Sequence, residues 1–520
     1  MATLSDLPAE LVNRIAFHVL YPDPPPERCF SRWCIHDHHL PDHLNRSVQP
    51  KPRPHLERII ERDPNYPEYY EEEFSWPEGL PDNPLLPLSL VNHKFRQGAQ
   101  ELLFKNVALQ NTLTASLFLK SLTSIPYEDA SSHKQSQEDN RDKQRHDLPR
   151  LSPLSQHVRS LQFNWDVPCL MEEGGPTLFC KILQNCPFLE NIAISNSFRV
   201  TRKEPILKAL ASKPHINEFV VLNNISVENT VFQWQAHEEA PRLFSCWNSL
   251  ETVELSGLSG WPVNSIKQAP SSTPILTNCA IRTMILNDLN LDEPALSSLL
   301  KSCGESMRTL KISGPSYRLD RAALCRVLQE RTNPKFESLT LKSICWDESI
   351  SSNLNSGDPL KCHGLLGIVL NSPNSLKSLK SLSFDGSVAT SRLIERLPKS
   401  IVRLSWERCK IRASVFIKAL ETTESLPNLK CCSYRTSTDW DNQDEWNVAE
   451  ALKRQGGCSH SVLHRGFPPI STESATDSDD TSPSEHESTS SFSEHDSAPS
   501  EHASSSATHG SSYSQHVLSV

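Results

Sequence analysis

Metal binding is the first chemistry the residue types raise. Cys29, Cys34, His36, His38, His39 and His43 crowd into one short stretch, and thiolate and imidazole are ligands that zinc takes. Their spacing lacks the paired steps that wrap a finger or ring around the ion, so polar loop residues are the competing reading. Stoichiometric zinc in the purified protein would favour a metal-dependent activity there. A second set, His495, His502, His509 and His516, follows at seven-residue steps among Ser-Glu-His repeats beginning at Ser484, Ser493 and Ser500. No apolar residues accompany them to make a heptad, and a solvated low-complexity tail accounts for the pattern. Cys431-Cys432 sits inside an alternating apolar segment, where packing explains the pair better than nucleophilic chemistry does. The chain has no G-x-x-x-x-G-K-[ST], G-x-S-x-G, H-E-x-x-H or C-x-x-C, and its sixteen glycines leave little for phosphate-cradling loops. We therefore expect no catalytic residues, no cofactor and no resident metal.

What remains is a scaffold, and its signature is repetition. From residue 158 the form apolar-x-x-apolar-x-apolar recurs ten times, from Val158-Arg-Ser-Leu-Gln-Phe163 to Leu429-Lys-Cys-Cys-Ser-Tyr434. The middle apolar positions run from Leu161 to Cys432, a mean step of about 30 residues, which is the period of a solenoid. The intervening positions are the independent test. Of thirty, only Ala193, Val220, Leu222, Ile285 and Cys431 are apolar. One face of each strand is thus core and the other solvated. Helical stretches at Leu178–Leu183, Ala295–Leu300, Ala322–Leu328 and Leu393–Leu397 alternate with the strands. The spacing predicts an α/β solenoid over 158–465, irregular because steps vary from 22 to 43 residues. Asp444–Gln455 with Gly456-Gly457 behind it reads as the helix that closes its far end. Val220, Leu222 and Ile285, apolar where neighbours are polar, are candidate anchors for a bound protein, unless a loop such as 226–247 covers them.

Ahead of the solenoid lies a split motif. Leu4-Ser-Asp-Leu-Pro-Ala-Glu-Leu-Val-Asn-Arg-Ile15 predicts an amphipathic helix with Asp6 as N-cap and Leu7, Leu11, Ile15 and Val19 at four-residue steps. Leu85-Leu-Pro-Leu-Ser-Leu-Val-Asn-His-Lys-Phe95-Arg adds apolar residues at three- and four-residue steps, continuing through Ala99, Leu102 and Leu103. Short helices of this kind cannot bury all of those stripes against one another.

These residues resemble the F-box, a small helical module that docks onto a Skp-type adaptor. The matching positions are Leu7-Pro8, Glu10-Leu11, Ile15, Leu20, Leu88-Ser-Leu-Val91 and Phe95-Arg96, and Ala99–Leu109 is similar to the helix-into-strand exit of fungal members. The departure is the insertion of residues 21–84, with thirteen prolines. The strands and helices beyond resemble the leucine-rich repeats of F-box proteins, although the Asn/Cys ladder position is mostly missing. Only Leu404-Ser-Trp-Glu-Arg-Cys409-Lys-Ile411 fits it in full. The resemblance implies N-terminal all-α F-box-like helices followed by an irregular leucine-rich-repeat horseshoe and a disordered tail. Its domains would be a split module at 1–109, a connecting segment at 110–157, about ten repeats at 158–465 and a tail at 466–520. It implies that Leu7, Pro8, Leu11, Ile15, Leu90, Val91 and Phe95 bind the adaptor, and through it a cullin scaffold, while the repeats hold an unknown target protein. The chain would then be the substrate-recognition subunit of a ubiquitin ligase with no chemistry of its own. The alternative is a leucine-rich-repeat interaction scaffold whose N-terminal helices only cap the solenoid.

Charge and composition narrow the class further. Formal net charge is −10, but the tail beyond Arg465 holds nine acids and no Lys or Arg, leaving 52 basic against 53 acidic residues before it. A near-neutral folded part gives no support to nucleic-acid binding. Apolar runs are far too short to span a bilayer, and the N-terminus, with Asp6 and Glu10, is no signal peptide. Fifteen cysteines without framework spacing fit a reducing compartment, cytoplasm or nucleus. The insertion and the tail are too polar and proline-rich to order themselves by burial.

Overall fold

The computed structural model describes residues 4–20, 85–109, 111–124, 152–163, 174–195, 203–222, 234–237, 239–260, 280–314, 318–342, 344, 364–372, 376–407, 409, 411–422, 424–435 and 440–461. The Cys/His insertion, the connecting segment's polar loop and the Ser/His/acidic tail lie outside the described residues.

Among the described residues three α-helices come first: α1 (Ala9–Leu20), α2 (Leu85–Ser89) and α3 (His93–Lys105). α3 passes directly into β1 (Asn106–Leu109), and α4 (Thr112–Thr123) follows. Strands and helices then alternate. They are β2 (Ser160–Phe163), α5 (Gly174–Gln184), β3 (Asn191–Ser195), α6 (Lys203–Ala211), β4 (Glu218–Leu222) and α7 (Glu239–Phe244). Next come β5 (Thr252–Ser256), β6 (Thr283–Asn287), α8 (Glu293–Ser302), β7 (Thr309–Ser313), α9 (Arg321–Arg331) and β8 (Ser338–Lys342). The series ends with α10 (Leu365–Leu370), β9 (Ser381–Asp385), α11 (Arg392–Arg396), β10 (Arg403–Glu407), α12 (Ala413–Glu421), β11 (Cys431–Arg435), α13 (Asn442–Arg454) and β12 (Cys458–Ser461).

All twelve strands form one parallel sheet in strict sequence order, β1 to β12. This is the α/β solenoid of leucine-rich-repeat type. The ten expected middle residues, Leu161, Ile192, Phe219, Val253, Met284, Leu310, Leu339, Leu382, Leu404 and Cys432, fall on one register row. Every one of them is buried. Residues two positions further along each strand join the same core, which runs unbroken from Leu109 to Leu452. Strand alternation sends one set of side chains to this core and the other to the opposite face.

Several helices start where acids and amides cap them. The side chains of Asp292, Asp320 and Asp441 accept from the backbone N–H three residues on, at 3.0, 2.7 and 2.7 Å, which satisfies donors a helix start leaves unpaired. Strand exits replace the scarce Asn/Cys ladder with another device. Gly257, Asp288, Gly314 and Gly386 each follow a strand directly with positive φ, a conformation that glycine adopts at no steric cost. At Gly314 a Cβ would also lie 2.5 Å from Asp288 Oδ1 of the preceding turn. In the one repeat that keeps the ladder, Cys409 Sγ donates to Gly386 O at 2.5 Å.

The far end carries one strand more than the repeat pattern predicts. The closing helix α13 is followed by β12, which pairs with β11 from Cys431↔Cys458 to Tyr434↔Ser461. Among the described residues no helix is long and apolar enough to cross a membrane.

Candidate functional site

The N-terminal helices hold together through a small-residue contact. Val12 and Ala16 of α1 are buried, as are Leu85, Phe95, Ala99 and Leu103. Gly98 sets the approach: a Cβ there would meet Asn13 Oδ1 at 2.5 Å and Val12 Cγ1 at 3.3 Å. Lys94 Nζ donates to Leu7 O at 3.2 Å, which brings the start of α3, and Val91 just before it, alongside Leu7-Pro8. Asn92 caps α3 by accepting from Phe95 N at 3.0 Å, and nothing in the apolar spacing announces that cap.

With Val12 and Ala16 turned inward, the predicted α1 stripe faces out. Leu11 is 46% exposed and Ile15 38%, with Val19 and Leu4 also exposed. Leu90 and Val91, in the turn between α2 and α3, are exposed as well; Pro8 is exposed and Leu7 half-buried. Ten large apolar side chains stand exposed among the described residues, and six of them, Leu4, Leu11, Ile15, Val19, Leu90 and Val91, belong to these three short helices and their entry turn. Concentration of this kind marks a surface built to be covered.

Phe95 is different. At 2% exposure its ring is buried within the folded module, so it supports the helices and is not offered to a partner. Phe95, Ala99 and Leu103 recur at four-residue steps, and that is the buried stripe of α3.

The expected anchors on the repeats need the same correction. Val220 is 1% exposed and Ile285 5%. Both lie on the central row of the face opposite the core. That row reads Ala108, Gln162, Ala193, Val220, Glu254, Ile285, Lys311, Thr340, Ser383, Ser405 and Ser433 across the sheet. Gln162, Glu254, Thr340, Ser383 and Ser433 are buried there too. Burial belongs to the row, where strands about 4.8 Å away on both sides crowd each side chain. The backbone of Leu222 pairs with Ser195 at the end of β4.

Polar order on this face comes from ladders the apolar pattern does not show. Asn191 Nδ2 donates to Ser160 Oγ at 2.8 Å, and Asn287 Nδ2 to Glu254 Oε1 at 3.0 Å. One residue before most of the strands stands a charged side chain; Glu190 pairs with Arg159 at 3.4 Å and Glu337 with Lys380 at 3.0 Å. Their signal was the second letter of the repeat, charged in all of the ten segments but those with Asn217 and Val402. Burial perturbs several groups inside the solenoid. Burial pushes the Cys186 thiol up to about 12 and holds the Lys213 ammonium, which donates to Cys186 O at 3.3 Å, below its ordinary value. Burial also raises the Cys432 thiol well above its usual range. Among the described residues no cluster of three or more His, Cys, Asp or Glu could hold a metal ion.

No family model matches the sequence, and no curated protein matches it. Solved structures are similar in part, and two of them illustrate it. One is the yeast Rad7–Elc1 complex, at 14% identity over 56% of this chain and 74% of that one, with a TM-score of 0.35. The other is the leucine-rich repeat-containing protein LegL7 from Legionella pneumophila, at 13% identity over 68% of this chain and 89% of that one, with a TM-score of 0.34. The leucine-rich-repeat architecture itself rests on the twelve-stranded parallel sheet and its helices.

Proposed function

We propose that this chain is the substrate-recognition subunit of an SCF-type cullin ubiquitin ligase. The observation that carries the reading is the cluster of exposed apolar side chains on α1 and the α2–α3 turn, at positions that resemble the F-box motif. Leu11, Ile15, Leu90 and Val91, with Leu7 and Pro8 beside them, dock on a Skp-type adaptor and through it reach the cullin. Phe95 supports that surface from behind.

The repeats hold the target. Lys311, Lys342, Arg403 and Glu407 are half-buried on the face opposite the core, and such side chains, not Val220 or Ile285, contact a bound protein there. The chain contributes proximity and orientation, while the transfer chemistry belongs to other subunits.

Co-elution of the purified full chain with a purified Skp-type adaptor tests the reading. The wild type is expected to bind, and Leu11→Asp with Leu90→Asp to abolish binding, because a carboxylate in a desolvated interface has no partner. A wild type that fails to bind even with residues 21–84 replaced by a short linker would overturn the assignment and leave an interaction scaffold.

A further inference from the structure

At the far edge of the sheet, two cysteines occupy neighbouring positions. Cys431 opens β11, Cys458 opens β12, and they are register partners. In-register residues of neighbouring parallel strands point to the same face. Cys432, the next residue of β11, is buried in the core, so Cys431 points the other way, onto the outer face with Cys458. Cys431 is half-buried and Cys458 exposed. Strands in a sheet lie about 4.8 Å apart, within the roughly 4.4–6.8 Å between Cα atoms that a disulfide spans. Among the described residues β12 is the last strand and pairs on one side only, and Gly456 and Gly457 lead into it. The strand can therefore make the small sideways shift that brings the two sulfurs into bonding range. The remaining buried cysteines, Cys186, Cys303, Cys325, Cys409 and Cys432, sit within the solenoid core.

We propose that Cys431 and Cys458 form a redox-active dithiol that closes to a disulfide and ties the terminal strand to its neighbour. The co-reactant is a low-molecular-weight disulfide such as oxidised glutathione. The exposed Cys458 loses its proton and attacks one glutathione sulfur, forming a mixed disulfide and expelling one glutathione thiolate. Cys431 then loses its proton and attacks the Cys458 sulfur, expelling the second. One disulfide is consumed and one formed. The protein loses two hydrogens, and the two expelled thiolates gain them. An exposed disulfide at a sheet edge belongs to the labile class that cellular thiols reduce again, so the link is reversible.

The test incubates the full chain with oxidised glutathione, blocks remaining thiols, and maps tryptic peptides without reduction. Cleavage after Lys430, Arg435, Arg454 and Arg465 separates Cys431 and Cys458 onto two peptides. The expected result is a cross-link between them that a reductant removes, retained in Cys432→Ala. In Cys431→Ser the cross-link should be absent and glutathione should stay trapped on Cys458. A stable glutathione adduct on Cys458 in the wild type, no oxidation at either position, or a cross-link lost in Cys432→Ala but kept in Cys431→Ser would each overturn the proposal.

Discussion

Leu11 and Phe95 lie on the same small helical module and should fail in opposite ways when cut to alanine. Leu11 keeps 46% of its surface in water, Phe95 only 2%. Burying a large apolar side chain fully is worth about 1.5–3 kcal/mol, so Leu11→Ala removes about 1 kcal/mol from the free protein. Phe95→Ala leaves a cavity where the buried ring sat and costs about 3–5 kcal/mol. At the proposed interface the order reverses. A central apolar anchor contributes about 2–4 kcal/mol, which is about thirty- to seven-hundred-fold in affinity at about 1.4 kcal/mol per tenfold. Two measurements separate the effects: titration calorimetry against purified adaptor, and native-state hydrogen exchange of the α1 and α3 amides, which reads local stability. Leu11→Ala should lose affinity with exchange near that of the wild type, whereas Phe95→Ala should accelerate exchange first. If Leu11→Ala speeds exchange as much as Phe95→Ala, the outward stripe is core and the docking argument fails. If it binds adaptor as the wild type does, the stripe serves something else.

Gly98→Ala should stay within about 1 kcal/mol of wild type, since the exposed Asn13 amide can rotate away and alanine gains about 1 kcal/mol of helix propensity. Gly98→Leu cannot be accommodated and should accelerate exchange in α1. Trp406 packs on Phe416, Tyr434 and Trp440 with ring centroids 5.4, 5.6 and 5.8 Å away, so Trp406→Ala should lower the urea midpoint by the equivalent of about 3–5 kcal/mol. Lys213 has its folded-state pKa lowered by burial, so between that value and the ordinary one near 10.4 the unfolded chain binds more protons. Stability should therefore rise with pH through that window. Lys213→Met should be the more stable protein at neutral pH, with the gap narrowing toward pH 10; a widening gap in denaturant titrations would refute the assignment.

The solenoid was legible because its inward faces have to be apolar every second residue, and ten strands announced themselves that way. β12 did not, because Cys458-Ser-His-Ser461 carries no apolar alternation; backbone bonds such as Cys458 N to Lys430 O at 2.9 Å place it. On α1 the stripe Leu7, Leu11, Ile15, Val19 was visible, but periodicity does not say what covers a stripe. The contact that decides it is made by Val12, which lies off that stripe, and by Ala16 and Gly98, residues too small to stand out in a hydropathy pattern. Val220 and Ile285 misled for a related reason. Polarity of neighbours suggested exposure, yet the central row of a parallel sheet hides serine and glutamate as readily as valine.

One link between the two proposed surfaces is covalent and rigid. Lys105 ends α3 and Asn106 begins β1, and Arg159 N, at the entry to β2, donates to Lys105 O at 2.9 Å. Phe104 packs against both the small helical core and the solenoid core, stacking on Phe118 with ring centroids 5.8 Å apart. No loop intervenes that could let the docking end swing. Each strand then steps about 4.8 Å from the last, so the path from β1 to β12 covers roughly 50 Å along the sheet. On the proposed reading, the strand at which a target binds sets how far its lysines stand from the adaptor end. Selection among lysines would then follow from position along the sheet, with no residue of this chain touching the lysine that is modified.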